Sequence, residues 1–268
     1  MLYVLVVVHN KTLDESLACR SLIEQDNKEF QALIYDNSDE DYGLKEQCAE
    51  YCWIYLGGNG NQGLPEAYNR ALDYSKEINA EGHICLLDDD TELGFDFISE
   101  AKAAVTGNNT DILLPILSNN GKILSPWREK GRIHFRSYEE CASESRDNLL
   151  AFNSGMVISL EVFKDYRYDE KLFLDCVDIS FLTEMKKRRK RIAVIPVRCE
   201  QRFSGAEKLT REAAMKRFGI YTKDMRTYYG KKSLTGRFQL IKRAVHLSVI
   251  YRSGEPFMIL RKERENRI

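Results

Sequence analysis

Nowhere does this 268-residue chain carry about 18 apolar residues in succession, so the sequence offers no bilayer-spanning helix. Prolines number five and glycines 16, too few for a long disordered tract. The net charge is only −1, which argues against a general polyanion binder. There is no C-x-x-C pair. The seven cysteines (Cys19, Cys48, Cys52, Cys85, Cys141, Cys176 and Cys199) are odd in number and scattered, which speaks against a zinc ribbon or a disulfide framework. Mostly buried thiols in a reducing compartment are expected instead. The apolar start, Met1 to Val8, is too short for a signal sequence and has neither a basic leader nor a small-residue cleavage site. It reads as a strand.

What is present is a chain 43% hydrophobic and 30% charged, enough to build a sizeable core. Charge is uneven. From Gly230 to Ile268 ten Lys/Arg face three Glu, a local +7, which leaves about −8 for the preceding residues. Such a tail suits an anionic surface or a solvated helix.

Leu2–Val8 is continuously apolar, as a strand buried on both faces would be. Thr12 and Glu15 form a capping-box pattern that predicts a helix reaching about Gln25. Strands are expected at Gln31–Tyr35, Trp53–Leu56, His83–Leu87, Asp111–Ile116, Phe152–Ser159 and Ile192–Val197. Helices are expected near Leu44–Tyr51, Leu64–Ile78, Phe95–Val105 and Asp175–Arg189, with two or three more over Glu207–Ile268. The early alternation of strand and helix predicts an α/β fold with a mostly parallel central sheet flanked by helices. Ligands bind beyond the carboxyl ends of such strands. His9-Asn10, Asp36-Asn37 and Asp88-Asp89-Asp90 all fall there.

Three successive aspartates at a strand end repel one another unless a cation or hydrogen-bond donors intervene. Hard oxygen ligands of this kind suit Mg²⁺ or Mn²⁺ across a diphosphate; a solvated acidic turn is the plainer reading. Gly58-Asn-Gly60-Asn-Gln-Gly63 matches G-x-G-x-x-G between a strand and a helix. It could serve a dinucleotide, as in a dehydrogenase, or any phosphate held at a helix N-terminus. Asp175-x-x-Asp178 either caps a helix or supplies a general base. Lys186 to Arg191 is a basic helix end, solvated or turned to an anionic membrane. Phe238, Ile241 and Val245, interleaved with Arg237, Lys242 and Arg243, suggest an amphipathic helix that lies on a membrane, packs on the domain or forms a homodimer. No nucleic-acid module accompanies the basic stretches.

In order along the chain, Val7-Val8-His9-Asn10, Ile34-Tyr35-Asp36-Asn37-Ser38, Gly60-Asn61-Gln62-Gly63 with Ala67-Tyr68-Asn69, Leu86-Leu87-Asp88-Asp89-Asp90, Asn153-Ser154-Gly155 and Phe173-Leu174-Asp175-x-x-Asp178 resemble the inverting glycosyltransferases of family two. The resemblance is strongest to the rhamnosyltransferase-like branch and covers residues 3–205. It implies the GT-A fold, with a catalytic domain at 1–205 and a C-terminal helical extension at 206–268. The catalytic domain would divide into a nucleotide-binding half, 1–115, and an acceptor-binding half, 116–205. It further implies a dTDP- or UDP-sugar donor, a glycan or lipid-linked glycan acceptor, and a Mg²⁺ or Mn²⁺ cofactor. The setting would be cytoplasmic, peripheral on the inner membrane face. Asp36 would bind the base, Asp88 the ribose and Asp90 the metal, and Asp178 would be the catalytic base. Val8, His9, Asn10, Asn61, Gly63 and Asp89 would line the nucleotide site, and Asn153, Ser154, Gly155 and Asp175 the donor sugar or acceptor. Two departures stand out. Cys199-Glu200-Gln201-Arg202 occupies the region where the family often has a metal-binding His, and Val177 precedes the base position where many relatives have an acid. A non-catalytic sugar-nucleotide-binding protein of the same fold is the alternative.

Overall fold

A computed structural model describes residues 1–107, 109–130, 133–202, 209–230 and 232–265. In chain order the elements are β1 (Leu2–Val8), α1 (Leu17–Ile23), β2 (Gln31–Asp36), α2 (Leu44–Glu50), β3 (Ile54–Gly57), α3 (Leu64–Glu77) and β4 (His83–Asp88). Next come β5 (Thr91–Leu93), α4 (Phe97–Gly107), β6 (Ile112–Asn119), β7 (Lys122–Ser125), β8 (Trp127–Arg128), β9 (Ile133–His134), α5 (Tyr138–Ser143), β10 (Leu149–Leu150) and β11 (Val157–Ser159). The chain continues through α6 (Val177–Lys187), β12 (Ile192–Gln201), α7 (Arg211–Tyr229), α8 (Leu234–Tyr251) and α9 (Glu255–Glu265). The boundary expected at 205–206, and Glu207, lie outside the described residues.

The main sheet runs β3-β2-β1-β4-β11-β6-β12-β5, with β7 on β6. Its first four strands are parallel, and β6 and β12 also pair parallel. Beyond β4 the sheet is more mixed than expected. β11 runs against both of its neighbours, and β5 and β7 are antiparallel additions. The β6–β7 reversal is a two-residue turn at Asn120-Gly121, both at positive φ, and so short a connection permits only an antiparallel return.

Alternate residues of the buried strands divide two cores. Leu5, Val7, Leu33, Tyr35 and Leu86 join α3 and α6 on one face. Val4, Val6, Val8, Ile34 and Leu87 join α1, α2 and α4 on the other. That double burial accounts for the uninterrupted apolar pattern of β1. The helix expected from Thr12 begins only at Leu17: Glu15 does accept from the Thr12 amide at 2.9 Å, but Ser16 is the N-cap, accepting from Cys19. The strand expected at Phe152 begins at Val157, because Asn153, Ser154 and Gly155 form the turn ahead of it. All seven cysteines are free thiols and six are buried.

Candidate active site

The carboxyl ends of β1, β2, β3 and β4 lie side by side. Val8 is in register with Asp36, Asp36 with Gly57, and Val7 with Asp88. Each strand therefore delivers its terminal polar residues to one edge of the sheet. Asp36 is buried there; its carboxylate accepts from the Tyr55 hydroxyl and the Ser38 amide, each at 3.0 Å. Every carboxylate oxygen keeps a further lone pair.

The glycine-rich loop folds over this edge through asparagines. The Asn37 amide donates to Asn61 at 3.0 Å and its Oδ1 accepts from the Gln62 amide at 2.8 Å. Asn61 also reaches His9 Nε2 at 3.0 Å. The loop thus follows an edge strand and is latched to the ends of β1 and β2, an arrangement unlike the first crossover of a dinucleotide fold. Gly63 has φ +85°, and a Cβ there would stand 2.5 Å from the Phe173 carbonyl. Leu64 N–H donates to that same carbonyl at 2.8 Å. Asn10, at φ 54°, ties its loop to β2 by donating to Ser38 and accepting from the Asp39 amide. Val8 is fully buried, with its carbonyl taken by the Asn37 amide.

The three aspartates divide their work. Asp89 accepts from the His9 amide at 3.0 Å and from Lys11 at 2.9 Å, and its carbonyl receives the Ala18 amide and the Ser16 hydroxyl. It was expected among nucleotide ligands; here its carboxylate fastens the β1–α1 loop. Asp88 and Asp90 are left with their charges close together. Burial, then the charges of Asp90, Asp89 and Asp178, push Asp88 up to about 7. Burial and Asp89 push Asp90 up to about 6. Asp178, in the first turn of α6, is thus near enough to act electrostatically on Asp88. The buried Tyr68 hydroxyl lies beside Asn153, and the same two aspartates raise it further.

Ser154 braces this corner, donating or accepting with Thr91 at 2.6 Å while its hydroxyl receives the Asp88 amide at 3.0 Å. Gly155 N–H donates to Leu86 at 2.7 Å. A Cβ on Gly155 would meet Pro115 at 2.7 Å and the Cys199 sulfur at 2.9 Å, so the turn admits no side chain.

Mg²⁺ or Mn²⁺ fits the chemistry of this corner. Lys11 offsets Asp89, while Asp88 and Asp90 sit in mutual repulsion, and their oxygens are hard donors. No ready-made group of three His, Cys, Asp or Glu ligands exists among the described residues, so these two carboxylates would leave positions open on a bound ion. Gln201, at the end of β12, donates its amide nitrogen to Asp90 Oδ1. Amide orientation follows the network around it, and a turned amide would present its oxygen instead.

Both raised carboxyls bind protons in the fold that the unfolded chain has released. The stabilisation is full at pH below about 4 and is lost as pH rises through about 6 to 7. A chelator-treated sample should therefore lose on the order of 5 °C in melting temperature between pH 5 and 8. The Asp88→Asn/Asp90→Asn double variant should show little of that decline. An equal decline in the variant would assign it to other groups.

Asp175, expected near the donor sugar or acceptor, is held in an ion pair. Arg217 on α7 grips both of its carboxylate oxygens, one at 2.8 Å. Cys176, at φ 64°, is the N-cap of α6 in its place. The main residue missed by sequence reading is Asp224 on α7. It is fully buried, and its carboxylate accepts from the amides of Phe173 at 3.0 Å, Leu174 at 2.8 Å and Asp175 at 2.8 Å. Helix α7 thereby holds the loop that leads into Asp178.

Two clefts lie elsewhere. One, about 560 Å³, is lined by Met1, Leu2, Gln31 and His83 at the amino ends of the strands. The other, about 680 Å³, lies among α7, α8 and α9. The basic run at the end of α6 is largely paired within the protein: Lys186 with Glu129, Arg188 with Glu184, and Arg191 with Asp111.

Comparison with known proteins agrees with this architecture. No curated protein matches the sequence significantly. Among solved structures, S. aureus TarS is 17% identical with a TM-score of 0.56, over 92% of this chain and 48% of that one. The chain thus spans about half of TarS. GalNAc-T7, solved with UDP, GalNAc and Mn²⁺, is 14% identical with a TM-score of 0.59, over 89% of this chain and 53% of that one. The mannosyltransferase PcManGT from Pyrobaculum calidifontis, solved with GDP-Man and Mn²⁺, is 13% identical with a TM-score of 0.57, over 97% and 71%. These likenesses give the fold as that of GT-A glycosyltransferases. The family model described as glycosyl transferase family 2 matches residues 3–167, more than half of the sequence, and the chain belongs to that family.

Proposed function

We propose that this glycosyltransferase transfers a hexosyl or rhamnosyl group from a nucleoside diphosphate sugar to a glycan or lipid-linked glycan, with inversion at the anomeric carbon. The observation that carries the reading is the meeting of Asp88, Asp90 and Asp178 beside the Asp36 and glycine-loop edge. Asp36 has lone pairs left to accept the imide N–H shared by uracil and thymine. UDP- and dTDP-sugars are therefore the donors favoured. Asp88 holds the ribose, and the glycine-rich loop ahead of α3 borders the phosphates. Asn153 and its turn border the sugar.

Asp90 holds the divalent ion, with Gln201 beside it. The ion, when bound, offsets charge on the leaving diphosphate. Asp178 accepts the proton of the acceptor hydroxyl as that oxygen attacks the anomeric carbon opposite the leaving group. One displacement of this kind inverts the centre. The setting proposed is the inner face of the cell membrane.

A thermal-shift series of nucleotide sugars with and without Mn²⁺ tests the donor side. One UDP- or dTDP-sugar should raise the melting temperature by a few degrees only with Mn²⁺. Asp90→Ala should abolish the response to Mn²⁺ and with it the shift. Full stabilisation and turnover in excess chelator would defeat the metal assignment.

A further inference from the structure

We infer that α8 docks the enzyme on an anionic lipid surface. The helix is apolar on two sides. Gly236, Leu240, Ala244 and Leu247 point inward, where α8 packs on α7 at Ala214, Met215, Phe218 and Met225. The approach is close: a Cβ on Gly236 would stand 2.8 Å from Tyr229. Leu234, Phe238, Ile241, Val245 and Val249 recur at spacings of three and four, which puts them on one line of the helix. All five are exposed, Leu234 by 79%, Phe238 by 67% and Val249 by 73%. On α9, Phe257 and Met258 are exposed as well. Packing on the body satisfies only the first side.

Charge selects the occupant. Arg237 and Lys242 flank the outward line and Arg252 follows its end, all exposed, while Leu234–Tyr251 contains no Asp or Glu. A second copy meeting this face would oppose basic residues with basic residues. Anionic headgroups complement them, and the apolar line suits the boundary beneath those headgroups. No described helix is long and apolar enough to cross a membrane, so the contact is parallel to the surface.

The test is co-sedimentation of the full chain with vesicles, and it reads no catalytic step, so its failure leaves the reading of the active site standing. Vesicles containing phosphatidylglycerol should pellet the protein at low salt, and pure phosphatidylcholine vesicles should not. Phe238→Ser/Val249→Ser and Arg237→Glu/Lys242→Glu should each weaken binding about tenfold or more. Unchanged melting temperatures would show that these exposed positions were altered without unfolding. Protein left in the supernatant with anionic vesicles, or equal binding to neutral ones, would overturn the inference. So would a dimer, seen by light scattering, that the same substitutions split.

Discussion

Replacing Asp178 by Asn should lower kcat by about a thousandfold while leaving the affinity for the donor within about twofold. The amide matches the carboxylate in size, so the first turn of α6 and its contact with the Ile179 amide are retained. What is lost is a group able to take a proton. Donor binding is proposed to rest on Asp36, the glycine loop and Asp90, none of which changes. Calorimetry with the donor and a nucleotide-release assay with acceptor separate the two effects. Wild-type turnover in Asp178→Asn would remove this residue from the mechanism, and lost donor binding would make its role structural.

The second large effect is expected at Asp224→Ala, on α7. Three backbone amides, those of Phe173, Leu174 and Asp175, would lose their acceptor in a buried setting. Unmet buried donors cost about 1–3 kcal/mol each, so denaturant unfolding should show a loss of about 3 kcal/mol or more. Arg217 still holds Asp175, so the loop is expected to shift rather than detach. Activity should fall further than stability explains, because Asp178 lies in the first turn of the helix that this loop leads into. Asp224→Asn, which keeps one acceptor oxygen, should recover part of both. If activity at a temperature where Asp224→Ala remains fully folded equals that of the wild type, the loop has no positioning role.

Much of the N-terminal part of the sheet was readable in the sequence because its signals are local. Strands buried on both faces must be continuously apolar, and the acids at their ends break that pattern abruptly, as at Leu87-Asp88 and Tyr35-Asp36. Contacts made over long separations leave no such trace. Asp224 sits in a helix whose sequence alternates bases, acids and aromatics, like any partly exposed helix. Its partners lie some fifty residues earlier. Asp175 looked like a cap because an acid before a helix commonly is one, yet Arg217, 42 residues on, claims it. The Gln201 contact with Asp90 spans 111 residues and depends on β12 pairing with β5. The mixed half of the sheet escaped for a related reason: a three-residue strand such as β11 has no period to detect.

Phe173 is where the two halves of the cleft touch. Its carbonyl receives the amide that starts α3, and its own amide is held by α7. A single residue therefore joins the segment proposed to grip the donor to the segment proposed to face the incoming alcohol. Two ligands that share such a joint are expected to be coupled in their binding. If filling one pocket tightens the other, thermodynamic reciprocity requires the second ligand to return the favour by the same factor.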